Sequence, residues 1–417
     1  MQETARTKRR LLFGLVAACL LVVSALVLAR PLTLQYRLWL ARTALGHRDV
    51  SAAIRWLDAA AQIAPRRGEI AFLRARAYRK LARPAELRAQ LLRAAELKYP
   101  IEKLKREETL MLLQSGQLPP GHPAVGALMA DPQGDAREIY EAAVQGYLES
   151  FHVAPAEMLL DGWEADYPND SLPHYFRGLI YASRQSWTEA AEAFQESLQL
   201  GASRPDTRLR LADSLREDYR YREALWHYEQ CCDGKETAEV LFGRGKCLEA
   251  LGDAEAAREA YGAALGADPK HFAARLGLGQ LEYSQGEYEA AAKQLQLAVE
   301  VNPADFYVHH SLAWALLILG EKESAREHFK SAVRLRLAML QVGNLQRRIA
   351  KAPDNARLRY DIGAILMAND QQSDAASWLR SLLQLEPDHR QAHRALADYY
   401  AERGEAELAE RHRRATQ

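Results

Sequence analysis

The chain has 417 residues, 48% of them hydrophobic, and its 55 Lys and Arg balance 55 Asp and Glu. That apolar content is ample for a continuous core, and because strand-like alternation is nowhere sustained the class is all-α. The four cysteines include no C-x-x-C, which excludes zinc-ribbon and redox-motif readings, and aromatics do not interleave with basic residues at any module spacing, which argues against nucleic-acid binding.

The amino terminus comes first. Residues 1–10 form a short basic segment with Arg6, Lys8, Arg9 and Arg10, and Leu11–Ala29 is a run of 19 residues without a charge. A spanning helix needs about 20 apolar residues, so 11–29 reads as a retained transmembrane anchor. Two processing alternatives stay open. Val27-Leu28-Ala29 suits a cleavage site, and Val16-Ala17-Ala18-Cys19 resembles a lipoprotein box, although the apolar run continues ten residues past Cys19. The basic flank favours a cytoplasmic amino terminus, with the rest on the periplasmic or extracytoplasmic side of a single-pass cell-membrane protein. Arg30, Arg37, Arg42 and Arg48 on the far side weaken that bias, leaving a cytosol-facing array as the mirror-image option. From Arg30 to Leu118 there are 18 Lys and Arg against 8 Asp and Glu, and from Pro119 onward 33 against 46. The basic 30–118 region could meet anionic lipid beside an anchor, or simply be charged helix surface.

Beyond the anchor one pattern recurs every 34 residues. Leu34–Arg67 carries Leu40-Ala41, Ala53, Leu57, Ala60 and Pro65, and Gly68–Ile101 carries Ala75, Tyr78, Leu91, Ala94 and Pro100. These form a pair over 34–101. Residues 102–136 break the period: they start helical, then run through Gln117-Leu118-Pro119-Pro120-Gly121-His122-Pro123, a hinge signal. A longer array covers 137–339. Its units start at Arg137, Ser171, Pro205, Ala238, Phe272 and Phe306, and the clearest pair lies between Ala238 and Asp305. There Arg244-Gly245, Gly252, Ala257, Tyr261, Ala264-Leu265 and Pro269 have counterparts one period on at Leu278-Gly279, Gly286, Ala291, Leu295, Ala298-Val299 and Pro303. Each unit holds two stripes at helical spacing separated by a breaker such as Gly252-Asp253, suited to a left-handed helix end followed by an N-cap. The period slips again at 340–355, where 16 extra residues read as a lengthened second helix, and it resumes over 356–417 with two units and a cap.

These residues resemble the tetratricopeptide repeat, which has small residues at its eighth and twentieth places, aromatics or aliphatics at the fourth, eleventh and twenty-fourth, and proline at the thirty-second. The resemblance covers roughly four-fifths of the chain. It implies a right-handed α-solenoid of about nine to ten helix-turn-helix units, in addition to the anchor. Such arrays escape the usual domain-size limits because each repeat contacts only its neighbours. In this family the first helices line a concave groove, which is carried over here as Phe242, Lys246, Leu276, Gln280, Tyr283, Tyr307, His310, Trp314, Leu317, Tyr360 and Met367. From Leu276 to Met367 the lining is aromatic and apolar, the character of a partner site; the competing reading is that Trp314 and Leu317 pack against the next helix or the long 334–351 segment. The ninth places contain no asparagine, unlike carboxylate-clamping receptors or glycosyl-transferring relatives. Cys231, at a twenty-seventh place, is expected in the core, with a bridge from Cys231 or Cys232 to Cys247 conceivable in an oxidising compartment.

No catalytic constellation is evident. Gly243-Arg244-Gly245 and Gly277-Leu278-Gly279 lack a third glycine and a preceding strand, so they are not nucleotide loops. His389 and His393, and likewise His309-His310, are read as solvated residues rather than metal ligands, and no cofactor is implied. The expectation is a non-enzymatic, membrane-tethered scaffold that binds a protein or peptide in its groove during envelope assembly, secretion or quality control. The alternatives are an accessory subunit of a separate enzyme or a polysaccharide or cell-wall export complex, and a cytosol-facing adaptor.

Overall fold

A computed structural model describes residues 31–416 apart from 202, 203, 205 and 232–235. The expected anchor at 11–29, the segment before it and Cys232 lie outside the described residues. Among the described residues no helix is long and apolar enough to cross a membrane.

The described residues hold helices and no strands. Taken two by two in chain order, they are α1 (31–46) with α2 (Val50–Ile63), α3 (Gly68–Lys80) with α4 (Pro84–Glu96), α5 (Ile101–Gln114) with α6 (Pro123–Ala130) where the period is broken, and α7 (Ala136–Glu149) with α8 (Val153–Asp166). Next come α9 (Ser171–Ser183) with α10 (Trp187–Gln199), α11 (Thr207–Glu217) with α12 (Tyr221–Glu229), and α13 (Ala238–Ala250) with α14 (Ala254–Ala267). The last four pairs are α15 (Phe272–Ser284) with α16 (Tyr288–Val301), α17 (Phe306–Ile318) with α18 (Lys322–Ile349), α19 (Ala356–Met367) with α20 (Gln372–Leu385), and α21 (Arg390–Glu402) with α22 (Ala406–Arg414).

The turn inside each repeat puts its fifteenth residue in the left-handed region. Glycine stands there at Gly252, Gly286, Gly320 and Gly404, but Arg48, Ala82, Phe151, Gln185, Tyr219 and Asp370 adopt the same positive φ. The turn geometry is therefore imposed by packing of the helix pair even where no glycine relieves the crowded Cβ. Many first helices start on a side-chain cap: Asp170, Thr237, His271, Asp305, Asn355 and His389 each accept a backbone N–H.

A second recurring contact closes each pair. The eighth residue is small, and in several repeats glycine, opposite a large twenty-fourth residue. A Cβ on Gly178 would come within 2.6 Å of the Phe194 ring, and one on Gly245 within 2.5 Å of Tyr261. Gly243 and Gly277 also abut tyrosine rings, Tyr228 and Tyr261, so the glycine pairs singled out in the sequence are packing devices inside α13 and α15.

The chain divides into two compact units at Ala142/Ala143. In the first, Leu38, Leu57, Leu73 and Leu87 form a core, and Gln117–Pro123 makes the turn between α5 and α6. The same unit buries charge: Arg79 donates to Glu107 at 2.5 Å and to Glu138 at 2.6 Å, and Arg76 and Lys80 reach Glu138 at 2.7 and 3.3 Å. Burial alone would raise the Glu138 pKa, but Arg79, Lys80 and Arg76 outweigh it and hold the carboxyl well below its usual range. The same burial drops Lys80 to about 8.

The second unit is joined across about 200 residues. Phe151, in the α7–α8 turn, stacks on Trp378 of α20 with centroids 4.0 Å apart. Arg359 of α19 is fully buried and donates to the carbonyls of Pro353 at 2.6 Å, Ser150 at 3.1 Å and Ser381 at 3.4 Å. His152 Nε2 lies 3.1 Å from Asp354.

Two sequence expectations need correction here. His309 and His393 are buried, not solvated: each holds a preceding proline carbonyl (Pro303, Pro387) through Nε2 and meets a second histidine (His328, His412) at an Nδ1···Nδ1 distance of 2.8 Å. His389, half-buried, caps α21. The reason is that the fourth and twenty-third places face each other across the helix pair. Cys231 is only half-buried because α12 stops at Glu229, before the frame would place it between helices. Cys247 is a free, buried thiol whose pKa burial pushes up to about 12.

Candidate binding face

The eleven groove residues do not form one surface. Phe242 is half-buried against Tyr261 and His271, with centroids 6.1 and 5.6 Å away. Lys246 pairs with Glu249 at 2.9 Å, and Glu249 in turn accepts the Tyr261 hydroxyl at 2.5 Å. Leu276 and Tyr283 pack on the core between α16 and α17, and Gln280 donates to Ser311 at 3.3 Å. Tyr360 and Met367 pack on the core of the last repeats, Tyr360 also lying 4.9 Å from the His389 ring. These seven are contacts within the array.

The other four are on α17 and stand apart. Tyr307 is 58% exposed, Trp314 43% and Leu317 38%, and His310 is exposed between them. At i, i+3, i+7 and i+10 they share one helix face. Trp314 meets the next helix, α18, as the competing reading expected, and stays partly exposed there. Its Nε1 donates to His310 at 3.2 Å, and its ring meets Phe329 edge-on at 5.5 Å. Phe329, on α18, joins this stripe to a cavity of about 980 Å³. Leu317, Val333 and Leu337 supply its apolar wall, and Lys322, Arg326, Lys330 and Arg334 its charges.

Most of that cavity lies on α18, a second helix, where the family pattern does not look for a groove. The signal was available in the 16 extra residues together with the apolar spacing of Val333, Leu337 and Leu340. Register explains the result. Leu265, Val299 and Val333 stand one period apart, and the first two are half-buried against the first helix of the following repeat. Val333 is 59% exposed. Tyr261 and Leu295 are likewise fully buried while their counterpart Phe329 is only half-buried. The following repeat has docked elsewhere: Leu358, Ile362 and Leu366 of α19 pack on Val342, Leu345 and Ile349 near the end of α18. At 1.5 Å per residue that seat lies about 25 Å along the helix from the usual one. Among the described residues no group of three or more His, Cys, Asp or Glu is placed to hold a metal.

The tetratricopeptide repeat family model matches residues 209–270, 242–305 and 276–338, so the chain carries tetratricopeptide repeats there. No curated protein matches the chain. Among solved structures, it is similar to PilF of Pseudomonas aeruginosa at 17% identity over 53% of this chain and 99% of that one, with a TM-score of 0.42. MamA of Desulfovibrio magneticus RS-1 is 18% identical over 40% and 94% of the two chains, with a TM-score of 0.34. YrrB, described as a repeat protein with an unusual peptide-binding site, is 17% identical over 42% and 91%, with a TM-score of 0.32.

Proposed function

We propose that this repeat protein is a non-enzymatic scaffold, tethered to the cell membrane through residues 11–29, that holds a protein or peptide partner on the exposed face of α17. The observation that carries this reading is the stripe of Tyr307, His310, Trp314 and Leu317, which stays open although it lies in the middle of a packed array. Aromatic side chains exposed beside a cavity supply large contact area at small entropic cost, the character of binding hot spots. The 19-residue uncharged run after a basic segment supports the tether, and the same flank supports repeats on the periplasmic or extracytoplasmic side. Anionic lipid is a weaker part of the reading, because Arg42, Arg48, Arg74, Arg76, Arg79 and Lys80 of the basic region already engage carboxylates.

The full chain used as bait on detergent-solubilised membranes should recover a discrete partner, and Tyr307→Ala with Trp314→Ala should remove it. Equal recovery by the double variant would sink the assignment to α17. A reporter fused after Gln417 fixes the side of the membrane: activity in the cytoplasm overturns the extracytoplasmic placement.

A further inference from the structure

Resting on that reading, we infer that the vacated seat on α18 takes an acidic amphipathic α-helix from the partner, bound where the first helix of a following repeat would ordinarily lie. The seat is a helix-binding surface by construction. At the α16–α17 junction the same period positions hold α17 through Val308, Leu312 and Leu316, and on α18 they keep their apolar character at Phe329, Ala332 and Val333, where Ala332 is buried but half-buried Phe329 and exposed Val333 line the cavity. Helix-in-groove recognition needs what the seat offers, an apolar strip of several turns open along one side. Its length from Lys322 to Leu337 suits a helix of about 13–16 residues at 1.5 Å per residue.

Charge decides the partner's chemistry. The four charged side chains on the cavity wall are all cations, and they recur at four-residue spacing along α18 as Lys322, Arg326, Lys330 and Arg334. Arg326 and Lys330 are paired on their outer side with Glu323 at 2.9 Å and Glu327 at 2.6 Å, both exposed acids that are not part of the wall. Among the described residues Lys322 and Arg334 make no ion pair. A docked helix with apolar residues at i, i+4 and i+7 and Asp or Glu on its flanks would meet the apolar strip and the cation row together. A lysine-flanked helix of the same shape would face like charge across the interface.

The full chain in nanodiscs of zwitterionic lipid is titrated against a fluorescein-labelled 16-residue peptide carrying a leucine stripe with glutamate flanks, and against its counterpart with lysine at every glutamate. The acidic peptide should bind saturably and the basic one at least about tenfold more weakly. Arg326→Glu with Arg334→Glu should reverse that preference, and Val333→Asn with Leu337→Asn should weaken the acidic peptide by about tenfold. All four positions are exposed, so circular dichroism should show an unchanged fold. Equal affinity for the two peptides, or a preference that survives the charge reversal, overturns the inference. If Tyr307→Ala with Trp314→Ala removes the acidic peptide while the α18 variants bind normally, the inference fails and the α17 reading stands. If membrane recovery by the double variant is unchanged, the α17 reading fails instead. Sedimentation of the full chain as a dimer that Val333→Asn dissolves would assign the seat to a second copy, and also overturns it.

Discussion

The junction between α16 and α17 and the junction between α18 and α19 are built from the same period positions and end differently. At the first, Leu295 and Ala298 are fully buried under Val308 and Leu312, and the contact is between neighbours in sequence. At the second, the long α18 carries the next repeat past that seat. The displaced repeat is held instead by Val342 and Ile349 and by the remote α7–α8 turn, through Phe151 on Trp378 and the Arg359 guanidinium on the Ser150 carbonyl. Nearest-neighbour stacking makes a solenoid junction cheap to repeat; replacing it requires contacts that only a folded array supplies. The difference shows how one insertion both leaves an apolar face exposed and makes the following repeat depend on residues about 200 positions away.

Breaking the remote hold should have the largest effect. Arg359→Ala leaves three carbonyl acceptors in a buried site without their charged donor, so a loss of about 3–5 kcal/mol is expected by urea denaturation. At the regular junction, Leu295→Ala should cost about 3 kcal/mol, and Phe329→Ala at the open one clearly less, because Phe329 already faces the cavity. Equal losses for Leu295→Ala and Phe329→Ala would erase the distinction between the two junctions.

A third prediction tests contacts within a repeat rather than between repeats. Burial first, then His393, Arg411 and Arg380, bring His412 down to about 4 from an unfolded value near 6.5. A histidine depressed in the folded state contributes stability that is complete above the unfolded pKa and lost as pH falls through the folded one. Urea midpoints should therefore drop between pH 6.5 and pH 4 by roughly 1 kcal/mol equivalent, allowing for solvent screening. His412→Gln should flatten that part of the profile, and an unaltered profile would refute the assignment. The smallest effect is at the open seat: Val333→Ala and Leu337→Ala should each change stability by under about 0.5 kcal/mol, since both side chains are more than half exposed. A larger loss would mean that the seat is filled.

Much of this architecture was legible as spacing. The 34-residue period predicted the helix pairs because each landmark serves a contact inside one repeat: Gly245 makes room for Tyr261, and Asp305 caps α17. The candidate site was legible only in part. Tyr307, His310, Trp314 and Leu317 were expected on the groove from the resemblance to the repeat family, and they lie exposed on one face of α17. Leu276, Tyr283, Tyr360 and Met367 carry the same place numbers yet are packed, since a place number says where a side chain points and not what lies beyond it. The buried histidine pairs were missed for a related reason: the residues 19 apart that meet across a turn do not share a helix face.

By itself, then, the sequence determined the repeating unit, the ends of its helices and the length of α18, all of which depend on residues within one period of each other. Only the tertiary structure decided that α19 docks near Val342 and Ile349, that the α7–α8 turn clasps it, and that Val333 and Leu337 are left exposed. Exposure of a helix face is set by whichever element packs on it, and at this junction that element is positioned by contacts far outside the period.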